Sequence, residues 1–181
     1  MKNKTATIWI SGVTASGKTT LAKELYKKLN IISENNFTFF DGEDLRKRLK
    51  KNYGHSLSER FSLIEEYISF IKYENSKGKS VILSTVSHKK KMRELARSEL
   101  DYFMEVNLIC SPIECSKRDY KNIYNRITKN SDECLPGVTE PYEVSKDAEL
   151  ILNTEENTIQ NCNKILLKKV KKFLEFEDWM K

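Results

Sequence analysis

Apolar runs of strand length alternate with amphipathic stretches of helical period along the whole chain. Thr7-Ile8-Trp9-Ile10 is β-branched and aromatic and reads as part of a buried strand over 6–10. The same pattern predicts strands over 37–40, 80–85, 103–109 and 148–152. Between them the spacing predicts helices over 18–30, 43–52, 58–76, 89–98 and 112–127. Leu21, Ala22, Leu25 and Leu29 mark the buried face of the first. A last amphipathic helix is expected from 157 to 175, with Ile159, Cys162, Leu166, Val170 and Phe173 on one face. Alternation of this kind implies an α/β fold around a mainly parallel five-stranded sheet. No repeat, low-complexity linker or composition break divides the 181 residues, so one domain over 1–181 is expected. The stretch from Lys129 to Thr139 differs: it is polar, has Pro136-Gly137 at its heart and lacks apolar period. Segments of that length in a compact domain are usually functional, and a lid over about 121–140 is expected.

Where the first strand meets the first helix, Gly12 to Thr19 read G-V-T-A-S-G-K-T, the pattern G-x-x-x-x-G-K-[ST] of phosphate-binding loops. Glycines there let the backbone take conformations and approaches that a Cβ would block. Loop N–H groups and the positive end of the helix then surround the phosphates of a nucleotide. Lys18 would reach the β- and γ-phosphates, and the Thr19 hydroxyl would ligate Mg²⁺. A nucleotide-binding protein is expected.

The second predicted strand runs into Asp41-Gly42-Glu43-Asp44-Leu45-Arg46. In an open parallel sheet ligands sit outside the carboxyl ends of the strands, so acidic residues emerging there face the bound phosphates. Asp41 suits the carboxylate that orients an acceptor hydroxyl, and Arg46 the cation for the acceptor's own phosphates. An ordinary helix start, where Asp and Glu are favoured by the dipole, accounts for the run equally well. Ser84 and Ser87 close the third strand in S-T-V-S-H-K-K-K and should face the same cleft. Of Lys89 to Lys91, at least two read as solvated. Arg118-Asp119-Tyr120-Lys121 precedes the predicted lid and offers cations that could swing over a transferring phosphate. His55 follows a glycine in a turn and His88 follows a strand. Lone exposed histidines are more often incidental than catalytic, so neither is the first choice for a base.

Composition narrows the classes. About a third of the chain is charged, and no apolar run approaches the roughly 20 residues of a membrane span. Met1-Lys2-Asn3-Lys4 leads directly into the first strand and leaves no room for a signal peptide, so a cytoplasmic protein is expected. Cys110, Cys115, Cys134 and Cys162 form no C-x-x-C pair and read as reduced, mostly structural thiols. The net charge of +6 invites a nucleic-acid partner. The lysines are spread along helix faces without an aromatic-rich motif, so neither nucleic acid nor membrane is expected. A positive field suits polyanionic small substrates instead.

Taken together, these segments resemble the adenylyl-sulfate kinase (APS kinase) family, and the likeness covers nearly the whole chain. The phosphate loop is followed by D-G-E-D-L-R at 41–46, G-H-S-L-S-E-R at 54–60, S-T-V-S at 84–87, R-D-Y-K-N-I-Y at 118–124 and L-P-G-V-T-E-P-Y-E at 135–143. The resemblance implies a P-loop NTPase three-layer sandwich with a lid. It implies transfer of the ATP γ-phosphate to the ribose 3′-hydroxyl of adenosine 5′-phosphosulfate (APS), with Mg²⁺ and often as a homodimer. By position, ATP would be bound by Gly12, Ala15, Ser16, Gly17, Lys18, Thr19 and Thr20, with the metal on Thr19. Lys18, Asp41 and Lys121 would be catalytic, Asp41 orienting or deprotonating the hydroxyl and Lys121 serving as the lid cation. Asp41, Arg46, His55, Arg60, Val86, Ser87, Lys121 and Leu135 would contact the acceptor. Ser87 stands where the family has a serine once considered for a phospho-enzyme; a binding role suffices, because direct in-line transfer needs no covalent step. The chain also departs from the family. Two phenylalanines that sandwich adenine are replaced by His55 and Leu135, and an asparagine by Leu63, followed by Glu65 and Glu66. Base stacking contributes roughly 1–3 kcal/mol per base, so losing both faces opens the acceptor base to change. A cytidine diphosphoramidate kinase of capsule modification is the alternative, and a catalytically inactive nucleotide-binding regulator the second.

Overall fold

The computed structural model describes residues 4–33, 36–49, 52–129 and 134–174. Its strands are β1 (Thr7–Gly12), β2 (Phe37–Asp41), β3 (Ser80–Thr85), β4 (Phe103–Ile109) and β5 (Leu150–Asn153). Its helices are α1 (Lys18–Ile32), α2 (Gly42–Arg48), α3 (Leu57–Ser76), α4 (Lys90–Glu99), α5 (Pro112–Arg118), α6 (Ile123–Lys129) and α7 (Ile159–Phe173). The strands form one sheet in the order β2-β3-β1-β4-β5, and every pairing between them is parallel. β1 is buried throughout because it lies at the centre with helices on both faces.

The two-residue period of β1 divides the core. Ile8 and Ile10 point to the face covered by Leu21, Leu25 and Leu29 of α1 and by Leu166 and Val170 of α7. Trp9 points to the other face and packs with Tyr67, Ile68 and Ile71 of α3 and Met92 and Ala96 of α4. Burial of a Leu or Ile contributes roughly 1.5–3 kcal/mol, so each helix is held mainly by its apolar stripe.

Most predicted boundaries fall within two residues, with three exceptions. The expected helix over 43–52 ends at Arg48. The helix expected over 112–127 is two helices: Asn122 takes a left-handed φ of 56°, and the Asp119 carboxylate accepts from Lys121 N and Tyr124 N, capping a fresh turn. On α7, Cys162, Leu166 and Val170 are buried as expected, whereas Ile159 is exposed. Residues 130–133 of the expected lid lie outside the described residues.

A buried ion pair crosses the second face. Arg93 of α4 is fully enclosed, and its Nε donates to Glu105 Oε1 of β4 at 2.7 Å. Its other nitrogens donate to the carbonyls of Ser87 and Glu143, and Asn107 Nδ2 donates to the same Glu105 oxygen at 2.6 Å. Removing one partner strands the other charge in the interior. Glu105→Leu is expected to cost about 3–5 kcal/mol, on the order of 10 °C in Tm. The double variant Arg93→Met with Glu105→Leu should recover much of that loss in thermal or urea unfolding, and equal loss in both would refute the pairing account.

Candidate active site

The carboxyl ends of the five strands open onto a cleft of about 1350 Å³. A single small-ligand pocket spans roughly 300–1,000 Å³, so this cleft has room for two nucleotides side by side. The phosphate loop forms one wall. A Cβ at Gly12 would come within 2.7 Å of Ser16 Oγ and 2.9 Å of the Leu108 carbonyl, so only glycine fits. Gly17 has φ 94°, the left-handed geometry that carries the chain into α1. The helices α2, α3, α5 and α7 each begin with a side-chain cap, from Asp41, Ser56, Ser111 and Thr158. α1 begins with none and has no acidic residue in its first turn. Its first N–H groups and the positive end of its dipole are thus directed at the cleft, which suits an anion.

Loop carbonyls are held elsewhere. Tyr124 OH donates to Thr14 O at 2.9 Å, Thr154 Oγ1 to Ser16 O at 3.0 Å, and Lys18 Nζ to Val13 O at 2.5 Å. Ser16 contributes backbone rather than hydroxyl, since its Oγ is buried toward Gly12 with no hydrogen-bond partner. Ala15 takes a left-handed φ of 61°, and Thr20 lines the cleft in the first turn of α1. Burial pushes the Lys18 ammonium down to about 8, against the opposing pull of Asp41. Anionic phosphates at the loop would restore its charge.

Asp41 lies across from the loop and fills both roles that its sequence context left open. Its Oδ1 accepts from Glu43 N at 3.0 Å and caps α2. Its Oδ2 accepts from Thr19 Oγ1 at 2.6 Å and from Ser84 Oγ at 2.9 Å. Burial opposes ionisation of Asp41, but the hydrogen bonds from Thr19, Ser84 and Glu43 N, with the Lys18 charge, hold its carboxyl below the ordinary value. A hydroxyl and a carboxylate joined by one short hydrogen bond are hard oxygen donors, so Thr19 and Asp41 could hold Mg²⁺, which takes few protein ligands and keeps its waters. Lys121, in the turn between α5 and α6, donates to Glu43 Oε2 beside Asp41, and that hydrogen bond raises its pKa.

The acceptor candidates gather at the other end of the cleft. Arg46 donates to the carbonyls of Tyr53 and Gly54, the latter at 2.9 Å. Arg60 Nε donates to His55 O at 3.0 Å, and its Nη2 to Cys134 O at 3.2 Å. His55 and Leu135 therefore flank one guanidinium, although 80 residues separate them in the chain. Leu135 is buried against Val13, Cys115, Tyr124 and Ile127, while His55 is exposed. Val86 and Ser87 line the cleft; Ser87 has a left-handed φ of 31°, and its Oγ accepts from Trp9 Nε1 at 3.0 Å.

Two sequence expectations are corrected here. His88 is not exposed but fully buried, with Nε2 2.8 Å from Glu140 Oε2. Lys89 and Lys90 are not simply solvated: Lys89 pairs with Glu140 at 2.7 Å, and Lys90 with Asp147 at 3.1 Å. Sequence reasoning also left Glu43, Tyr124 and Thr154 without roles. Tyr124 stood within a recognised motif, whereas Thr154 gave no local signal.

The family model for adenylylsulphate kinase matches residues 4–153. The chain belongs to the adenylylsulphate kinase family. A probable adenylyl-sulfate kinase of Archaeoglobus fulgidus is 34% identical over 83% of this chain and 96% of that protein. A cytidine diphosphoramidate kinase of Campylobacter jejuni is 28% identical over 94% of this chain and 99% of its own length. The solved structure of the Mycobacterium tuberculosis APS kinase in complex with AMPPNP and APS superposes with a TM-score of 0.81, covering 93% of this chain and 98% of that one. At 23% identity that likeness speaks for the P-loop kinase fold. Membership makes this adenylylsulphate kinase relative a phosphotransferase with a hydroxyl acceptor. Among the described residues, no helix is long and apolar enough to cross a membrane.

Proposed function

We propose that the chain transfers the γ-phosphate of ATP to the ribose 3′-hydroxyl of APS or a closely similar nucleotide, in the cytoplasm. The carrying observation is the position of Asp41, hydrogen-bonded by Thr19 and Ser84 opposite the phosphate loop. The N–H groups of Ala15 to Thr20 and the Lys18 ammonium bind the ATP phosphates. Thr19, with Asp41 nearby, holds Mg²⁺, which when bound neutralises charge between the β- and γ-phosphates. A carboxylate held below the ordinary range keeps its charge and stores no proton at neutral pH, so Asp41 acts chiefly by orienting the acceptor hydroxyl for in-line attack. Lys121 exchanges Glu43 for the transferring phosphate and stabilises its charge. Arg46 and Arg60 bind the acceptor's phosphate and its sulfate-like end, with Val86 and Ser87 lining the pocket. The intact set of Lys18, Thr19, Asp41, Arg46 and Lys121 speaks against an inactive regulator.

A second acceptor, CDP-phosphoramidate, is favoured by Leu135, which is buried in its own apolar cluster, and by His55, which offers no second face of a phenylalanine clamp. The test is ADP release with Mg·ATP against APS, CDP-phosphoramidate, and other adenosine and cytidine nucleotides. Fast turnover of APS supports a sulfate-activation enzyme. Selective turnover of the cytidine compound supports the changed base, and similar poor turnover of both counts against each.

A further inference from the structure

His88 has no part in the chemistry above, yet it lines the cleft and is completely buried. Its ring nitrogens have opposite fates. Nε2 meets Glu140 Oε2 at 2.8 Å. That carboxylate also accepts from the Cys134 thiol at 2.9 Å on the same oxygen and from the Lys89 ammonium at 2.7 Å on the other. Three donors around one carboxylate keep it ionised and purely an acceptor. The Cys134 thiol and Lys89, with His88 beyond them, hold its pKa down at about 2. Nε2 must therefore carry the ring proton. Burial keeps the imidazole neutral, lowering its pKa despite the pull of Glu140. In that tautomer Nδ1 is a bare lone pair, buried and without a hydrogen-bond partner. Buried acceptors are rarely left unmet, and this one is screened from bulk water, so its partner has to be carried into the cleft.

His88, Cys134 and Glu140 are also the one trio among the described residues with metal-ligand atoms in mutual reach. A cation is poorly served there. Lys89 already holds Glu140, the Arg60 charge faces His88, and burial pushes the Cys134 thiol up, keeping it protonated. The neighbourhood fits a neutral, flat ligand better. Arg60 ties Cys134 to His55, Leu135 follows Cys134, and the apolar Leu63, Ile64 and Met92 line the same cavity.

We infer that His88 is a specificity-determining residue whose Nδ1 accepts a hydrogen bond from the exocyclic amino group of the acceptor's base. This rests on the kinase reading of the cleft. It selects amino-bearing bases, adenine or cytosine, against their oxo counterparts, hypoxanthine or uracil. An oxo group would set a second acceptor against the Nδ1 lone pair, leaving both unsatisfied.

Calorimetry on the whole chain saturated with Mg·ADP, with AMP, IMP, CMP and UMP as probes, tests this. Expected is a preference of about tenfold or more for AMP over IMP or for CMP over UMP; whichever pair responds identifies the base. His88→Leu should erase the preference and leave ATP affinity unchanged, while His88→Gln, whose amide oxygen can accept, should keep part of it. Equal binding within both pairs by the unaltered chain would overturn the assignment, whatever the variants do. Survival of the preference in His88→Leu would overturn it too. A preserved preference with no phosphoryl transfer to any nucleotide would sink the kinase reading and leave the role of His88 standing.

Discussion

Asp41→Asn is expected to lower kcat about 10²–10⁴-fold while leaving ATP binding nearly unchanged. Asparagine can keep the cap on α2, accepting from Glu43 N as Asp41 Oδ1 does, so the helix start survives. It cannot keep the negative charge to which Thr19 and Ser84 donate and which Lys18 faces. The acceptor hydroxyl then loses its charged partner, and the positive charge of Lys18 loses part of its balance. Steady-state rates of ADP release, together with calorimetry of a non-hydrolysable ATP analogue, separate the two effects. An undiminished kcat would remove Asp41 from the reaction.

Lys18→Ala should weaken phosphate binding and transfer together. A charge-assisted hydrogen bond contributes about 1.5–3 kcal/mol, roughly 10–100-fold in ATP affinity. Loss of a cation aimed at the transferring phosphate should cost kcat a further factor on the order of 10²–10³. The unaltered chain offers an independent signature. Burial holds Lys18 near about 8 in the absence of nucleotide, so at pH 8 it is close to half protonated. Phosphates draw its pKa upward, so ATP binding at that pH should take up about half a proton. Calorimetry in buffers of different ionisation enthalpy reads this uptake directly, and Lys18→Ala should abolish it. Binding enthalpies that do not depend on the buffer, or an unchanged kcat in the variant, would contradict the role given to the loop lysine.

Both predictions concern residues that sit next to each other in space and 23 positions apart in sequence. The sheet brings them together. β1 and β2 flank β3 and run parallel, so the loop after one and the acid after the other leave the same edge. Buried hydroxyls then finish the geometry: Ser84, at the end of the strand between them, reaches Asp41, and Thr154, at the end of β5, holds the Ser16 carbonyl.

By itself the sequence determined whatever depends on neighbours along the chain. The two-residue and helical periods located the strands and helices, because each element buries one face. The glycine spacing and Lys18-Thr19 located the phosphate loop, because a tight turn into a helix needs those residues at those positions. The tertiary structure alone decided what depends on distant pairings. His88 looked like an exposed turn residue until Glu140, 52 positions later, supplied the carboxylate that buries it. Arg93 read as one more charge on an amphipathic helix, and only β4 shows that it faces inward, onto Glu105. Lys121 finds Glu43 across 78 residues, and His55 and Cys134 meet on Arg60. A charged or aromatic ring looks the same in sequence whether solvated or enclosed. Its protonation, tautomer and partner are set by what the fold packs against it.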